Sequence, residues 1–340
     1  MTKEAGKEVV QVTGRNVYVD PPRVSIITPA YNVSEFIVET LESVRAQSFS
    51  DFELILINDG SPDTTRLEDA IGSYLDDIIY VKQENTGAGA ARNAAIEIAR
   101  GEFLAFLDGD DIWKPDFLAS QMEFIEKNRL DMAYCDAQMF GMPAVEGKRF
   151  MDSAPSSGEV TFNSILDFTC NVITSGTVAR RSLVIEAGMF EWERVRAHDF
   201  HLWLRMLKIG ARIGYQKKTL LKYRVHLDSL SGDSVQRIQR EIDVFNRVRQ
   251  TIELDEAQKA IVERQIAGLE TDIEIERGKS FLLNEDFEAA LEAFTNANNA
   301  RPSAKLGLIT SMLKYAPRLL LKLYRLRRSD EIAFVPNSER

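Results

Sequence analysis

The sequence predicts an α/β protein built on a three-layer, mostly parallel sheet, followed by an α-helical extension. Two observations lead to this prediction. Short apolar runs typical of buried strands alternate with helical patterns up to about residue 127, whereas helical patterning alone dominates from about residue 235. Strands that alternate with helices of about 10–15 residues are typical of a parallel sheet covered by helices.

Strands and helices alternate regularly through the first part of the chain. Residues 1–22 are largely polar and end in a Pro-Pro pair, which predicts a flexible N-terminal arm. Runs rich in Ile, Leu, Val and Phe predict strands that are buried on both faces. The predicted strands are 24–28, 53–58, 78–82 and 103–108, and the predicted helices are 34–46, one after residue 62, 87–100 and 115–127.

The alternation becomes irregular after one more predicted strand at 131–135. Residues 141–160 are rich in Gly, Pro and Ser and predict a mobile loop. Helical patterning returns at 199–209 and at 235–253, and it opens a helical region over 233–303.

A helical hairpin is predicted at 255–303, in the register of one tetratricopeptide repeat. The residues in that register are Gly278, Phe281, Ala290, Phe294, Ala297 and Pro302. A single repeat leaves faces open, so the hairpin packs on the first domain or recognises a peptide.

Residues 304–340 predict a basic amphipathic C-terminal segment. From residue 301 to 328 there are eight Lys or Arg and no acid, and Pro317 predicts a split into two helices. The pattern places basic residues at helical spacing opposite leucines, namely Lys314, Arg318, Lys322 and Arg325 against Leu313, Leu319, Leu320 and Leu323. Such a segment suits an anionic membrane surface, and the alternative is a helix packed on the hairpin with a solvated basic face.

The composition excludes several classes of protein. The net charge of −10 over 340 residues argues against indiscriminate nucleic-acid binding. The two cysteines, Cys135 and Cys170, lack metal-ligand spacing and predict reduced thiols. No signal-like apolar core and no run near ~20 apolar residues is present. We therefore expect a cytoplasmic protein, with peripheral placement at the inner face of the membrane if the basic segment binds lipid.

Three acids lie at or just after the end of the strand predicted at 103–108. Asp108, Asp110 and Asp111 stand where ligands gather in open α/β sheets, at the carboxyl end of a strand. Their charges repel one another unless a cation joins them, and a hard divalent cation is often shared between carboxylates and phosphates. The pattern therefore indicates a metal–phosphate site, and the alternative is a polar turn in which Asp111 caps the next helix.

Other strand ends also carry polar or aromatic residues. Tyr31 follows the first strand and offers an aromatic face to a flat ring, and Asp59 follows the second strand as a hydrogen-bond acceptor. The glycine-rich run 85–93 opens the third predicted helix, where a helix N-terminus favours anions. A dinucleotide fingerprint would follow the first strand instead, so a dehydrogenase is disfavoured.

Six segments between Val24 and Ser231, taken in order, resemble glycosyltransferase family 2. They are VSIITPAYN (24–32), FELILINDGSPD (52–63), NTGAGAARN (85–93), FLAFLDGDD (103–111), HDFHLWLRM (198–206) and YRVHLDSLS (223–231). The resemblance implies a GT-A catalytic domain over 23–232. It further implies a nucleotide-diphospho-sugar donor such as a UDP-sugar, Mn²⁺ or Mg²⁺, and transfer with inversion to a hydroxyl in a cell-surface polysaccharide or glycolipid.

The same resemblance implies roles for individual residues. The nucleotide and its diphosphate would be held by Pro29, Tyr31, Asp59, Asn85, Gly87, Arg92, Asp108 and Arg224. Asp110 would bind the metal, with Asp108 and His226 as further ligands. Asp199 takes the position of the general base, although its neighbour His198 replaces the acid usual in the family.

Two other functions remain open at this point. A metal-dependent nucleotidyltransferase also combines an α/β sheet with acids, but the loop at 28–32 lacks the basic residues that a triphosphate needs. A non-catalytic nucleotide-binding scaffold is the second alternative, in which the helical hairpin and the basic segment recruit partners.

Overall fold

The computed structural model describes residues 21–191, 198–226 and 234–332. The chain divides into two compact units, residues 1–226 and 227–340. Every strand of the described residues belongs to the first unit, and the described part of the second unit is helical.

One eight-stranded sheet forms the centre of the first unit. Its strands are β1 (Val24–Ala30), β2 (Phe52–Asp59), β3 (Ile79–Gln83), β4 (Phe103–Phe106), β5 (Ile112–Trp113), β6 (Met132–Phe140), β7 (Thr177–Arg180) and β8 (Ile213–Arg224). Across the sheet they lie in the order β3-β2-β1-β4-β7-β6-β8-β5. The α/β class and the first four predicted strands are confirmed.

The described helices of this unit are numbered along the chain. They are α1 (Ile37–Arg45), α2 (Thr64–Ile71), α3 (Ala88–Ile98), α4 (Phe117–Asn128), α5 (Phe150–Ser153), α6 (Phe162–Leu166), α7 (Arg181–Glu186) and α8 (His198–Lys208). Short 3-10 turns add Gly72–Tyr74 and Thr174–Gly176. Residues 150–153 are helical within the predicted 141–160 loop, because buried Asp136 accepts bonds from Arg149 Nε at 2.7 Å and Met151 N at 3.2 Å.

The sheet is mixed, whereas the sequence pattern predicts a mostly parallel one. Strands β3, β2, β1 and β4 are parallel, but β7 runs antiparallel to both β4 and β6. Strand β8 was not predicted from the sequence, because Lys217 and Lys218 interrupt its apolar pattern. Both lysines are exposed in the middle of the strand, where its pairing with β6 shifts register.

This topology gathers several chain segments at one edge of the sheet. The carboxyl ends of β1, β2 and β4 lie there because these strands are parallel. The antiparallel β7 begins at the same edge, so the turn Thr174–Gly176 that precedes it lies beside the end of β4. Strand β6 runs antiparallel to β7 and therefore ends at this edge. Strand β8 runs parallel to β6, so it ends there as well.

The second unit consists of a series of helices. The described ones are α9 (Ser234–Thr251), α10 (Glu256–Leu283), α11 (Phe287–Ala300), α12 (Ala304–Tyr315) and α13 (Pro317–Ile332). The predicted break at Pro317 is therefore confirmed, because this residue begins α13. No described helix combines the length and the apolar character needed to cross a membrane.

The predicted helical hairpin is formed by α10 and α11. A Cβ at Gly278 would lie 2.8 Å from the ring of Phe294, so only glycine allows this close approach. Ala290, Phe294 and Ala297 are buried between the helices, as the repeat register predicts. Asp255 caps α10 in a capping box with Gln258, which fixes where the hairpin begins.

Candidate active site

The acidic loop after β4 is held by partners from three distant parts of the chain. Asp108 Oδ1 accepts a hydrogen bond from Arg92, and the Asp108 N–H donates to Ser175 Oγ at 3.1 Å. Asp110 Oδ2 lies 3.2 Å from His226 Nε2. The sheet topology therefore brings together Arg92, Asp108, Asp110 and His226, which the sequence analysis selected separately.

Asp111 is not a helix cap, contrary to the alternative raised above. Helix α4 begins at Phe117 after Asp116, because the short strand β5 intervenes and pairs with β8. Asp111 is instead buried, and its Oδ1 accepts the backbone N–H of Arg224 at 2.8 Å. It ties the end of β8 to the acidic loop.

Negative charge is concentrated at this edge of the sheet. Burial, followed by the charge of Asp108, raises the pKa of Asp110. Burial also raises the pKa of the Tyr223 hydroxyl, and the carboxylates of Asp111, Asp108, Asp110 and Asp199 add to that effect, in this order. Thr174 donates to Asp199 and the adjacent Ser175 accepts the Asp108 N–H, so the fold brings the predicted base to the acidic loop.

Asp199 lies in the first turn of α8, and its carboxylate is held on both oxygens. Thr174 Oγ1 donates to Oδ2 at 2.6 Å, and the Phe200 N–H donates to Oδ1 at 2.8 Å. Sequence reasoning missed Thr174, since a threonine in a loop gives no local signal of the carboxylate that it will meet. The side chain of the neighbouring His198 lies outside the described residues.

Asp59 organises the loop that leads into α3. Although the chain places it at the edge where a nucleotide would bind, it is only 2% exposed. Its Oδ1 accepts from Gln83 Nε2 at 2.7 Å and from the Thr86 N–H at 3.0 Å, and its Oδ2 accepts from the Gly87 N–H at 2.8 Å. The predicted contact with a base remains a prediction.

The other predicted nucleotide-binding residues lie around the same edge. Tyr31 is 50% exposed and Pro29 is half-buried, so an aromatic face is open to a flat ligand. Asn85 is exposed, and Gly87 precedes α3 with φ +94°, a conformation that favours glycine.

Arg224 is engaged by the protein itself. Its guanidinium lies 4.6 Å from the ring centroid of Phe36 and 4.4 Å from that of Phe140. Its Nε donates to the Asp110 carbonyl at 2.8 Å, and Nη2 pairs with Glu39 at 3.0 Å. The structure therefore shows Arg224 bracing the acidic loop, and the predicted diphosphate contact remains a prediction.

The donor groups present suit a hard divalent cation that is shared with a ligand. Among the described residues, no group of three or more His, Cys, Asp or Glu side chains is spaced to hold a metal. The predicted metal ligands Asp108, Asp110 and His226 therefore remain a prediction, and Asp108 is paired with Arg92 in this structure. Asp110 with His226 nevertheless offers a carboxylate and an imidazole, and Mg²⁺ commonly takes one or two carboxylates plus substrate phosphates.

The chain resembles known proteins in both sequence and fold. The sheet with its strand-end site has the GT-A fold predicted above. The chain belongs to glycosyltransferase family 2: the family model described as "Glycosyl transferase family 2" matches residues 25–187. WfgD of Escherichia coli, named UDP-Glc:alpha-D-GlcNAc-diphosphoundecaprenol beta-1,3-glucosyltransferase, is 32% identical over 231 residues, which cover 67% of this chain and 87% of WfgD.

Two solved structures share the fold. TarS residues 1–349 of S. aureus, in complex with UDP-GlcNAc, superpose with a TM-score of 0.56 at 21% identity, covering 89% of each chain. The mannosyltransferase PcManGT of Pyrobaculum calidifontis, in complex with GDP-Man and Mn²⁺, gives a TM-score of 0.59 at 18% identity, covering 95% of this chain and 91% of PcManGT. At these identities the likeness concerns the fold.

Proposed function

We propose that the protein is an inverting glycosyltransferase that moves a sugar from a UDP-sugar to a hydroxyl of a lipid-linked saccharide in cell-surface polysaccharide synthesis. The observation that carries this proposal is the carboxylate of Asp199, which Thr174 holds beside the turn that also contacts Asp108 through Ser175. The relative WfgD is named for a UDP-sugar and a saccharide linked to diphosphoundecaprenol, which supports the two substrate classes.

The donor is held by the ends of β1, β2 and β4 and the start of α3. The exposed ring of Tyr31 stacks on the nucleotide base, with Pro29 and Asp59 at its edge. The diphosphate lies at the N-terminus of α3, because the N-terminal end of a helix favours an anion. Arg92, from the same helix, and Asp108 face the ribose or the diphosphate.

Asp199 acts as the general base. As the acceptor oxygen attacks the anomeric carbon, Asp199 takes the hydroxyl proton, while the bond from that carbon to the diphosphate oxygen breaks and its electron pair leaves with the diphosphate. Attack opposite the leaving group inverts the anomeric centre. The bonds from Thr174 and Phe200 keep the carboxylate oriented for this transfer.

Asp110 and His226, beside Asp108, would hold the divalent cation. When bound, Mn²⁺ or Mg²⁺ would offset the charge that builds on the nucleoside diphosphate as it leaves. Because the acceptor is lipid-linked, we place the enzyme at the cytoplasmic face of the membrane as a peripheral protein.

A donor and acceptor screen with the Asp199→Asn variant tests this function. Purified full-length protein is incubated with UDP- and GDP-sugars, Mn²⁺ or Mg²⁺, and a diphospholipid-linked saccharide. We expect product of inverted anomeric configuration, and a kcat about 10²–10⁴-fold lower for Asp199→Asn with UDP affinity retained.

Two results would contradict the proposal. Unchanged turnover in Asp199→Asn would remove this residue from the role of base. UDP binding without transfer to any acceptor would favour the nucleotide-binding scaffold instead.

A further inference from the structure

The last helix, α13, has apolar residues on two different sides. Leu320 and Leu321 are buried, and Tyr324 is partly buried, in the core that α13 shares with the helical hairpin. These residues provide the packing that fixes α13 on its own unit. The other leucines of the helix, Leu319, Leu323 and Leu326, do not belong to this core.

Those remaining leucines form a stripe that faces water. Leu319, Leu323 and Leu326 are 52%, 49% and 55% exposed. Their i, i+4, i+7 spacing places them on one side of a helix, away from Leu320 and Leu321. The predicted pattern has Leu319 and Leu320 on one face, but the structure separates them, because a helix advances by about 100° per residue.

Exposed apolar area is concentrated in this part of the chain. Among the described residues, ten large hydrophobic side chains are exposed, and five of them fall within residues 308–326. Tyr315, 87% exposed at the end of α12, lies immediately before the stripe in sequence. An outward side of a helix in water is ordinarily polar, so this stripe calls for a partner.

The side chains that border the stripe are positively charged. Arg318, Lys322 and Arg325 follow the same i, i+4, i+7 spacing and line a shallow groove of about 440 Å³ with Leu321, Leu326 and Glu285. Arg325 pairs with Glu285 at 3.1 Å, and no ion pair is formed by Arg318 or Lys322 within the described residues. The whole segment from 301 to 328 carries eight basic residues and no acid in a chain of net charge −10.

We propose that this leucine stripe, with its basic border, binds the surface of an anionic lipid bilayer. The leucines enter the boundary between headgroups and acyl chains, while Arg318, Lys322 and Arg325 meet lipid phosphates. The positive charge favours an anionic bilayer over a second copy of the chain, because two copies of this basic surface would repel each other. The surface belongs to the second unit, so the proposal stands independently of the catalytic one.

Vesicle co-sedimentation of the full-length protein tests the proposal. The vesicles contain phosphatidylcholine alone or phosphatidylcholine with phosphatidylglycerol. We expect binding to the anionic vesicles, weakening as salt is raised, and little binding to the neutral ones. Arg318→Gln/Lys322→Gln should lower the partition coefficient about 30-fold, from about 1 kcal/mol for each cation near an anionic surface.

Leu319→Asn/Leu323→Asn should lower the same partition coefficient by about tenfold or more, because it removes apolar area from the contact. The matched control is Ile98→Asn/Ile185→Asn, which removes two exposed side chains of the first unit and should bind like the wild type. Circular dichroism should show that all three variants are folded at the temperature of the assay, since no altered side chain belongs to the buried core. Transfer to a water-soluble acceptor should also be unchanged, which separates this proposal from the catalytic one.

Two outcomes would overturn the proposal. Equal binding of the wild type to neutral and anionic vesicles would exclude charge-directed docking. A dimer in lipid-free sedimentation equilibrium that the leucine variant abolishes would make the stripe a contact between two copies of the chain.

Discussion

The hydroxyl of Thr174 donates a 2.6 Å hydrogen bond to Oδ2 of Asp199. The next residue, Ser175, accepts the backbone N–H of Asp108 through its hydroxyl. One short turn thus contacts both the proposed base and the acidic loop. Its place follows from the sheet, because β7 runs antiparallel to β4 and starts where β4 ends.

Replacing Thr174 by Val should lower kcat about tenfold or more while leaving KM for the donor unchanged. The substitution keeps the volume and removes a hydrogen bond to a charged group, an interaction of about 1.5–3 kcal/mol. Steady-state kinetics check this. Thr177→Val is the matched control, since it loses a bond to the Ile173 carbonyl in the same segment and should keep its kcat. Equal losses in both variants would indicate a general effect on folding.

Removing the metal should weaken nucleotide binding, and this effect should depend on Asp110. Calorimetry with UDP should show tighter binding by the wild type with Mn²⁺ than with a chelator, because the cation joins the diphosphate to the carboxylate. Asp110→Asn should lose most of that difference. Asp152→Asn, at an exposed position, serves as the control and should respond to the chelator like the wild type. A wild-type response in Asp110→Asn would place the metal elsewhere.

Asp59→Asn should lower the free energy of unfolding by about 1–3 kcal/mol and weaken UDP binding. An amide offers one acceptor oxygen where the carboxylate offers two, so the N–H groups of Thr86 and Gly87 cannot both keep their partners. Urea unfolding and calorimetry measure the two effects. Asp69→Asn, on the exposed side of α2, is the control. Weaker UDP binding at unchanged stability would mean that Asp59 acts on the base alone.

Two glycines of α10 should respond oppositely to alanine. Gly278→Ala should lower the free energy of unfolding by about 1–3 kcal/mol, because the new Cβ would meet the Phe294 ring at 2.8 Å. Gly268→Ala should raise it by up to about 1 kcal/mol, since its Cβ points into open space and alanine favours the helix. Thermal and urea unfolding compare the two. A stabilised Gly278→Ala would show that the hairpin is loosely packed.

The sequence by itself determined the α/β class, the first four strands, the helical hairpin and the break at Pro317. Each depends on local patterns: apolar runs, helical spacing, and the restrictions of proline and of close-packed glycine. The family resemblance rests on motifs of the same local kind, and it selected Asp108, Asp110 and Asp199 before any geometry was known.

Only the tertiary structure decided how those residues are held. The bond from Thr174 to Asp199, the bracing of the acidic loop by Arg224 and the link from Asp111 to β8 join residues 25 to 114 positions apart. The same holds for α13, where packing on the hairpin buries Leu320 and leaves Leu319 in water. Such contacts follow from strand order and helix packing, and a local pattern carries no information on which distant backbone or side chain will lie opposite.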